Sequence, residues 1–413
     1  MDPFDRELIR LALEIDRLVP GYVDAYIGPP QIRNEVAATD KKDAATLLND
    51  LHRLRDQIPV TTGQRQLYLS ALTRAMDCTL RKLDGEHFDY LQEVELLYDI
   101  RPQPIEEEQF HDALRRLDDA LPSNGTLFDR ANDRRKHYEL NVDQVLPLLE
   151  LARQETRQRT LQIVNLIDGE ELEIQLTNNQ PWSAYNWYKG KGRSLIEFNR
   201  DIPISALSLI STFAHEGYPG HHTEHILKEE HLLRRLGYGE EAIFLLHSPA
   251  AVIAEGIATS AVGIIFPDAG GLNADARRDY HDWNEQVLLP EVGISGEPAL
   301  QMRQIAEAIH DLRYVTGNAA ILFHTAQLDA QQTIDYITTY ALSTPERAKK
   351  SFDFISDPLF RSYSFTYTEG YDLLKRAGKG NELALFKRLL FEQILPSQLA
   401  DGTWNALPAS RDA

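Results

Sequence analysis

A mainly α fold with one small antiparallel β-sheet is predicted from three observations. Residues 1–160 carry apolar side chains at three-and-four spacing, the period of an α-helix. Between 161 and 200 the chain changes to short segments rich in β-branched and aromatic residues, parted by turn signals. From 201 to 413 the helical period returns. The organisation expected is an N-terminal helical region (1–160), the small sheet (161–200) and a second helical region (201–413) that carries the candidate site, together forming one two-lobed unit.

The segments justify this in order. LIRLALEIDRLV, DAATLLNDLHRLRDQI, RQLYLSALTRAMDCTLRKL and FDYLQEVELLYDI each place apolar residues on one helical face, and Pro20, Gly21, Gly28, Pro29 and Pro30 break the first from the second. EEEQFHDALRRLDDAL and FDRANDRRKHYEL read as solvated helical hairpins. LQIVNLI, ELEIQLT, AYNWYKG and SLIEFNR read as strands, separated by Asp-Gly, Asn-Asn and Gly-Lys-Gly. Asp201 as cap and Pro203 in the first turn open the next helix. Loops are expected at Gly237–Gly239, Pro267–Gly271, Gly293–Pro298 and Ser356–Pro358.

Composition narrows the function. The 413 residues are 43% apolar and 26% charged, as in a globular protein with a sizeable core. A net charge of −20 argues against a nucleic-acid partner, whose phosphates need a basic face. No run of about 18 apolar residues exists, so no membrane span is expected, and the N-terminus lacks the basic start and apolar run of a secretion signal. Cys78 is the single cysteine, which rules out an intramolecular disulfide and a thiolate metal cage. A reducing, cytoplasmic location is expected, and any metal must be held by His, Asp and Glu.

Residues 215–222 read His-Glu-Gly-Tyr-Pro-Gly-His-His, and four of the thirteen histidines (His215, His221, His222 and His225) fall between 215 and 225. Neutral imidazole is the commonest protein ligand for zinc, and an adjacent carboxylate can serve as general base. The stretch resembles the H-E-x-x-H zinc-peptidase signature, with Pro219 where its second histidine would stand. On an unbroken helix His221 would lie about 120° from His215, and His222 roughly 10 Å further along the axis. A bulge at Tyr-Pro-Gly that loops out two residues would bring His221 to His215; one of three residues would bring His222. His221 is the preferred second ligand and His222 the alternative. A third arrangement, H-x-x-E-H over His221, Glu224 and His225, needs no bulge but leaves His215 and Glu216 unexplained. Glu255 is the only charged residue in an apolar helix beginning at Ser248 and Pro249. A buried carboxylate must be protonated, paired or coordinated, and coordination beside two histidines gives the His2Glu set of catalytic zinc sites. Gly256 next to it would permit a close approach by another backbone.

HEGYPGHH, followed downstream by Ala254-Glu255-Gly256, resembles a large family of mostly uncharacterised bacterial proteins grouped with gluzincin-type zinc peptidases. The resemblance covers roughly residues 180–375. It implies a large helical, zincin-like metallopeptidase architecture with Zn2+ as cofactor. It adds His324, with Thr333-Ile334-Asp335-Tyr336 after it, and Thr366-Tyr367-Thr368-Glu369-Gly370. Ile257 and Arg361-Ser362-Tyr363 depart from the family pattern. The function expected is hydrolysis of small peptides by an oligopeptidase or carboxypeptidase. His215, His221 and Glu255 would hold zinc, Glu216 would act as general base, and Tyr367 or His324 would donate to the oxyanion. SLIEFNR would be an edge strand for an extended peptide, and Arg361 or Arg313 a clamp for a terminal carboxylate. The alternatives are a zinc amidohydrolase acting on a non-peptide amide, and a helical scaffold with a structural metal site.

Overall fold

The computed structural model describes residues 1–59, 63–122, 124–180, 182–266 and 280–407. Each predicted N-terminal helix is present: Pro3–Leu18, Ala44–Arg55, Gln64–Leu83, Tyr90–Tyr98, Glu107–Ala120 and Leu127–His137. In the first, the Asp2 side chain accepts from the Phe4 N–H, and Leu8, Ile9, Ala12 and Ile15 form one buried face. Pro30 does more than interrupt. It opens a further helix, Pro30–Ala38, at the position where a missing N–H costs nothing.

LQIVNLI is not a strand. The helix Val142–Thr160 ends just before it, and the N–H groups of Ile163 and Val164 both return to the Thr160 carbonyl. Its side chains (Ile163, Val164, Leu166) pack instead where two cores meet. Burial, rather than pairing, explains its apolar character.

The small sheet comprises β2 (Glu171–Thr177), β3 (Ala184–Gly190) and β4 (Arg193–Asn199), numbered after β1 (Val23–Tyr26), in the order β2-β4-β3. β3 and β4 form the antiparallel hairpin, turned at Lys191 and Gly192 with positive φ, and β2 joins β4 in parallel. SLIEFNR is therefore the central strand and not an edge: both its backbone rims are paired. Of the outer strands, β3 packs on the helices Ala206–Glu216 and His221–Lys228, and β2 on Val142–Thr160. A second sheet pairs β1 antiparallel with β5 (Ile243–Leu245), and residues of both strands join the apolar core of the N-terminal helices.

Two helices carry the centre of the largest core, Pro249–Ile265 and Ser364–Ala377. They touch through glycine. A Cβ on Gly256 would lie 2.8 Å from the Gly370 carbonyl oxygen, and one on Gly370 would overlap the Val252 carbonyl. This contact sets Tyr363 and Tyr367, at the start of the second helix, against Glu255 on the first. Loops follow at 293–298 and after Ser356 as expected; the one expected at Pro267–Gly271 lies outside the described residues.

Candidate metal centre

The helix before the octapeptide runs Ala206–Glu216, and Ser205 caps it by accepting from the Leu207 N–H at 3.3 Å. Asp201 does not cap it. Its carboxylate is taken by Asn178 and the Asn179 N–H in the turn after β2. Leu209, Ile210, Phe213 and Ala214 bury the helix and present its last two residues, His215 and Glu216, at the end.

The chain then leaves the helix and resumes it two residues late, the offset of the expected two-residue loop-out. The Gly217 N–H closes on the Phe213 carbonyl at 2.7 Å, Tyr218–Pro219 is a cis peptide, and the Gly220 N–H reaches back to the Ala214 carbonyl at 3.0 Å. A Cβ on Gly220 would overlap the His215 carbonyl, so only glycine allows this fold-back. A new helix starts at His221. The reversal sets the His221 ring edge-on to His215, with centroids 4.8 Å apart.

His221 and His222 have opposite environments. His222 is fully buried with both ring nitrogens engaged, Nδ1 with Ser194 Oγ at 2.8 Å and Nε2 with Glu170 at 3.1 Å. Glu170 also accepts from Tyr218 and from Arg157. Burial would raise its pKa, but His222, Tyr218 and Arg157 together bring it down to about 2. His222 is thus an anchor of the turn. His221 points the other way, and its Nε2 lies 3.9 Å from Glu255 Oε2.

His215 Nε2 lies 3.4 Å from the same oxygen, and one donor atom from each of His215, His221 and Glu255 falls within 4.8 Å of the others. Zinc bonds of about 2.0–2.2 Å at tetrahedral angles space ligand atoms roughly 3.3–3.6 Å apart, so a small contraction would close this set on one ion. Glu255 is 5% exposed; its Oε1 accepts from the Tyr363 hydroxyl at 2.9 Å, whereas Oε2 is buried with no hydrogen-bond donor. An orphaned buried carboxylate oxygen flanked by two imidazoles fits a divalent cation. Burial would raise the Glu255 pKa, and His215, His221 and Tyr363 hold it below the ordinary range, so it stays ionised.

The surroundings orient these groups. Glu224 is buried, binds Lys228 Nζ at 2.6 Å, and turns its other oxygen to His221 Nδ1 at 3.9 Å. A carboxylate behind a ligand imidazole fixes its orientation and raises its basicity. His225 stacks on Tyr188 at 4.9 Å and lies 6.3 Å from the His221 ring, outside the group formed by His215, His221 and Glu255. Glu216 is 7% exposed, with Oε1 4.0 Å from His215 Nε2, and its carbonyl accepts from Asn186 Nδ2 at 2.6 Å. Burial raises its pKa against the pull of His215 and His221.

Of the remaining expected residues, Tyr367 is at the site. Its ring is 6.5 Å from that of His215 and it is 39% exposed. His324 is not in the group: its Nε2 bonds the Ile355 carbonyl and its ring stacks on Tyr90. Neither arginine is free. Arg361 forks onto buried Glu93, and Arg313 binds Asp372 at 2.8 Å. Three residues escaped the sequence reading. Tyr363 could have been found, because it precedes Tyr367 by one helical turn. Asp24 on β1 and Tyr185 on β3, joined by a hydrogen bond, carry no local signal.

Neither a family model nor a curated protein sequence matches this chain. Among solved structures, it is similar to "the putative lipoprotein from Colwellia psychrerythraea", with 13% identity and a TM-score of 0.49. The match covers 87% of this chain and 66% of that one. Among the described residues, no helix is long and apolar enough to cross a membrane.

Proposed function

We propose that this chain is a zinc-dependent hydrolase of the gluzincin type that cleaves peptide bonds in small peptides, with Glu216 as general base. The observation that carries the reading is the buried Oε2 of Glu255, which lacks a hydrogen-bond partner and lies 3.4 Å from His215 Nε2 and 3.9 Å from His221 Nε2. Zinc held by these three residues would supply Lewis acidity and lower the pKa of water toward about 7. Glu216, with its pKa raised by burial, accepts the proton of the attacking water and returns it to the leaving amine. Tyr363 holds Glu255 Oε1, which leaves Oε2 directed at the imidazoles. Tyr367, beside the His215 ring, is placed to donate its hydroxyl to an oxyanion.

The engagement of His222 by Ser194 and Glu170, and of Glu224 by Lys228, supports an open three-ligand site over a closed structural one. The carboxypeptidase form of the reading has lost both of its candidate clamps, since Arg361 and Arg313 are engaged elsewhere. A cytoplasmic location belongs to the same proposal, supported by the single cysteine. Glu216→Gln tests the mechanism: zinc should be retained while peptide hydrolysis falls by about 10²- to 10⁴-fold. Hydrolysis at the parent rate would remove Glu216 from its role.

A further inference from the structure

A further carboxylate, Asp24, stands near the centre. Asp24 interacts electrostatically with His221 and Glu255, and its charge also reaches Glu216, Tyr363 and Tyr367. Among the described residues, no lysine or arginine pairs with Asp24, Glu216 or Glu255. Buried polar atoms without a hydrogen-bond partner around the centre are acceptors too: Glu255 Oε2, Glu224 Oε2 facing His221, and Asn186 Oδ1 on the buried face of β3. A donor cation on the substrate would meet acceptors that no lysine or arginine of the described residues serves.

Position and surroundings indicate where that cation would sit. The Tyr185 hydroxyl donates to Asp24 Oδ1 and so fixes the carboxylate. Tyr185 stacks on Trp182 with centroids 5.6 Å apart, and Trp187, two positions along the strand and on the same face, packs against it at 4.6 Å. Aromatic faces beside a carboxylate form a recognition surface for an ammonium group. β1 is held by β5 through Val23, Ala25 and Tyr26, and Asp24 stands at the irregularity between Val23 and Ala25, where the register shifts.

Resting on the peptidase reading above, we propose that Asp24, positioned by Tyr185, whose ring packs between Trp182 and Trp187, binds an ammonium group of the substrate beside the scissile bond. The ammonium is either the α-amine of the peptide or a lysine side chain. Calorimetric binding to the zinc-loaded Glu216→Gln protein tests this without turnover. The probes are trialanine amide against its N-acetylated form, and N-acetyl-lysyl-alanine amide against the norleucyl equivalent. The cationic member of at least one pair should bind about tenfold more tightly, as befits a charge-assisted contact. Asp24→Asn should reduce that preference to within about twofold, and the pair that shows it identifies the source of the ammonium. Equal binding within both pairs overturns the subsite, and so does a preference that survives Asp24→Asn. The comparison of probes on a protein with intact Asp24 stands even if the variant folds poorly. Failure of the unaltered, zinc-loaded protein to cleave any peptide would instead count against the peptidase reading, leaving the binding result to decide the subsite.

Discussion

Two buried charged clusters in this molecule are assembled alike and completed differently. Asp5, Arg65 and Glu240 meet from the first helix, the helix Gln64–Leu83 and the turn ahead of β5, and all three are at least nine-tenths buried. Arg65 donates to Glu240 Oε1 at 2.9 Å, Glu240 Oε2 at 2.7 Å and Asp5 Oδ1 at 2.6 Å, while the Gly239 N–H serves Asp5 Oδ2 at 3.1 Å. Every carboxylate oxygen there has a donor. Around Glu255 the same kind of burial ends with an oxygen that has none. A buried charge with its partners in place ties the chain together, whereas one left short of a partner reserves a position for a ligand.

The largest expected effects separate these roles. Arg65→Met should destabilise the fold by about 3–5 kcal/mol in chemical denaturation, since it strands two buried carboxylates, and should leave zinc content per folded molecule unchanged. Glu255→Ala should do the reverse, with zinc affinity lost and the metal-free fold little affected. A Glu255→Ala protein that keeps its zinc would erase the distinction. Gly370→Ala should cost about 1–3 kcal/mol, because its Cβ has no space against the Val252 carbonyl, and should weaken zinc binding by moving Tyr363 from Glu255.

Acid titration should give a smaller effect of opposite sign in the two regions. The Glu170 carboxyl, lowered from 4.5 to about 2, contributes stability above pH 4.5 that is lost as the pH falls toward about 2. Asp5, raised from 3.8 to about 6 by burial and then by Glu240, contributes stability below pH 3.8 that is lost as the pH rises through about 6. Thermal melts across this range should lose the first change in Glu170→Gln and the second in Asp5→Asn. Unaltered profiles in both variants would contradict these assignments.

How much of this was legible in the sequence depended on the range of the interaction. The helices were, because their periodicity is local, and so was Glu255, as the lone charge in an apolar helix. Gly256 was read as a point of close approach, and its contact is Gly370. Local signals misled where a distant partner decided. LQIVNLI has strand composition but fills a space between two cores, and Asp201 is a good cap whose carboxylate is used by the turn after β2. SLIEFNR could not be known as a central strand until β2 returned beside it. Asp24 and Tyr185 reach the centre only through the β1–β5 pairing and the fold of β3, which no short window contains. The choice between His221 and His222 turned on Glu170 and Ser194, both remote in sequence.

That choice also gives the most direct test. Elemental analysis of the zinc-equilibrated protein and of His215→Ala, His221→Ala and His222→Ala, each measured on its folded fraction, reads the metal centre without assuming a substrate. About one zinc per chain should be bound by the parent and by His222→Ala, and essentially none by His215→Ala or His221→Ala. Zinc lost in His222→Ala but kept in His221→Ala, or a parent protein that binds no zinc, would contradict the account.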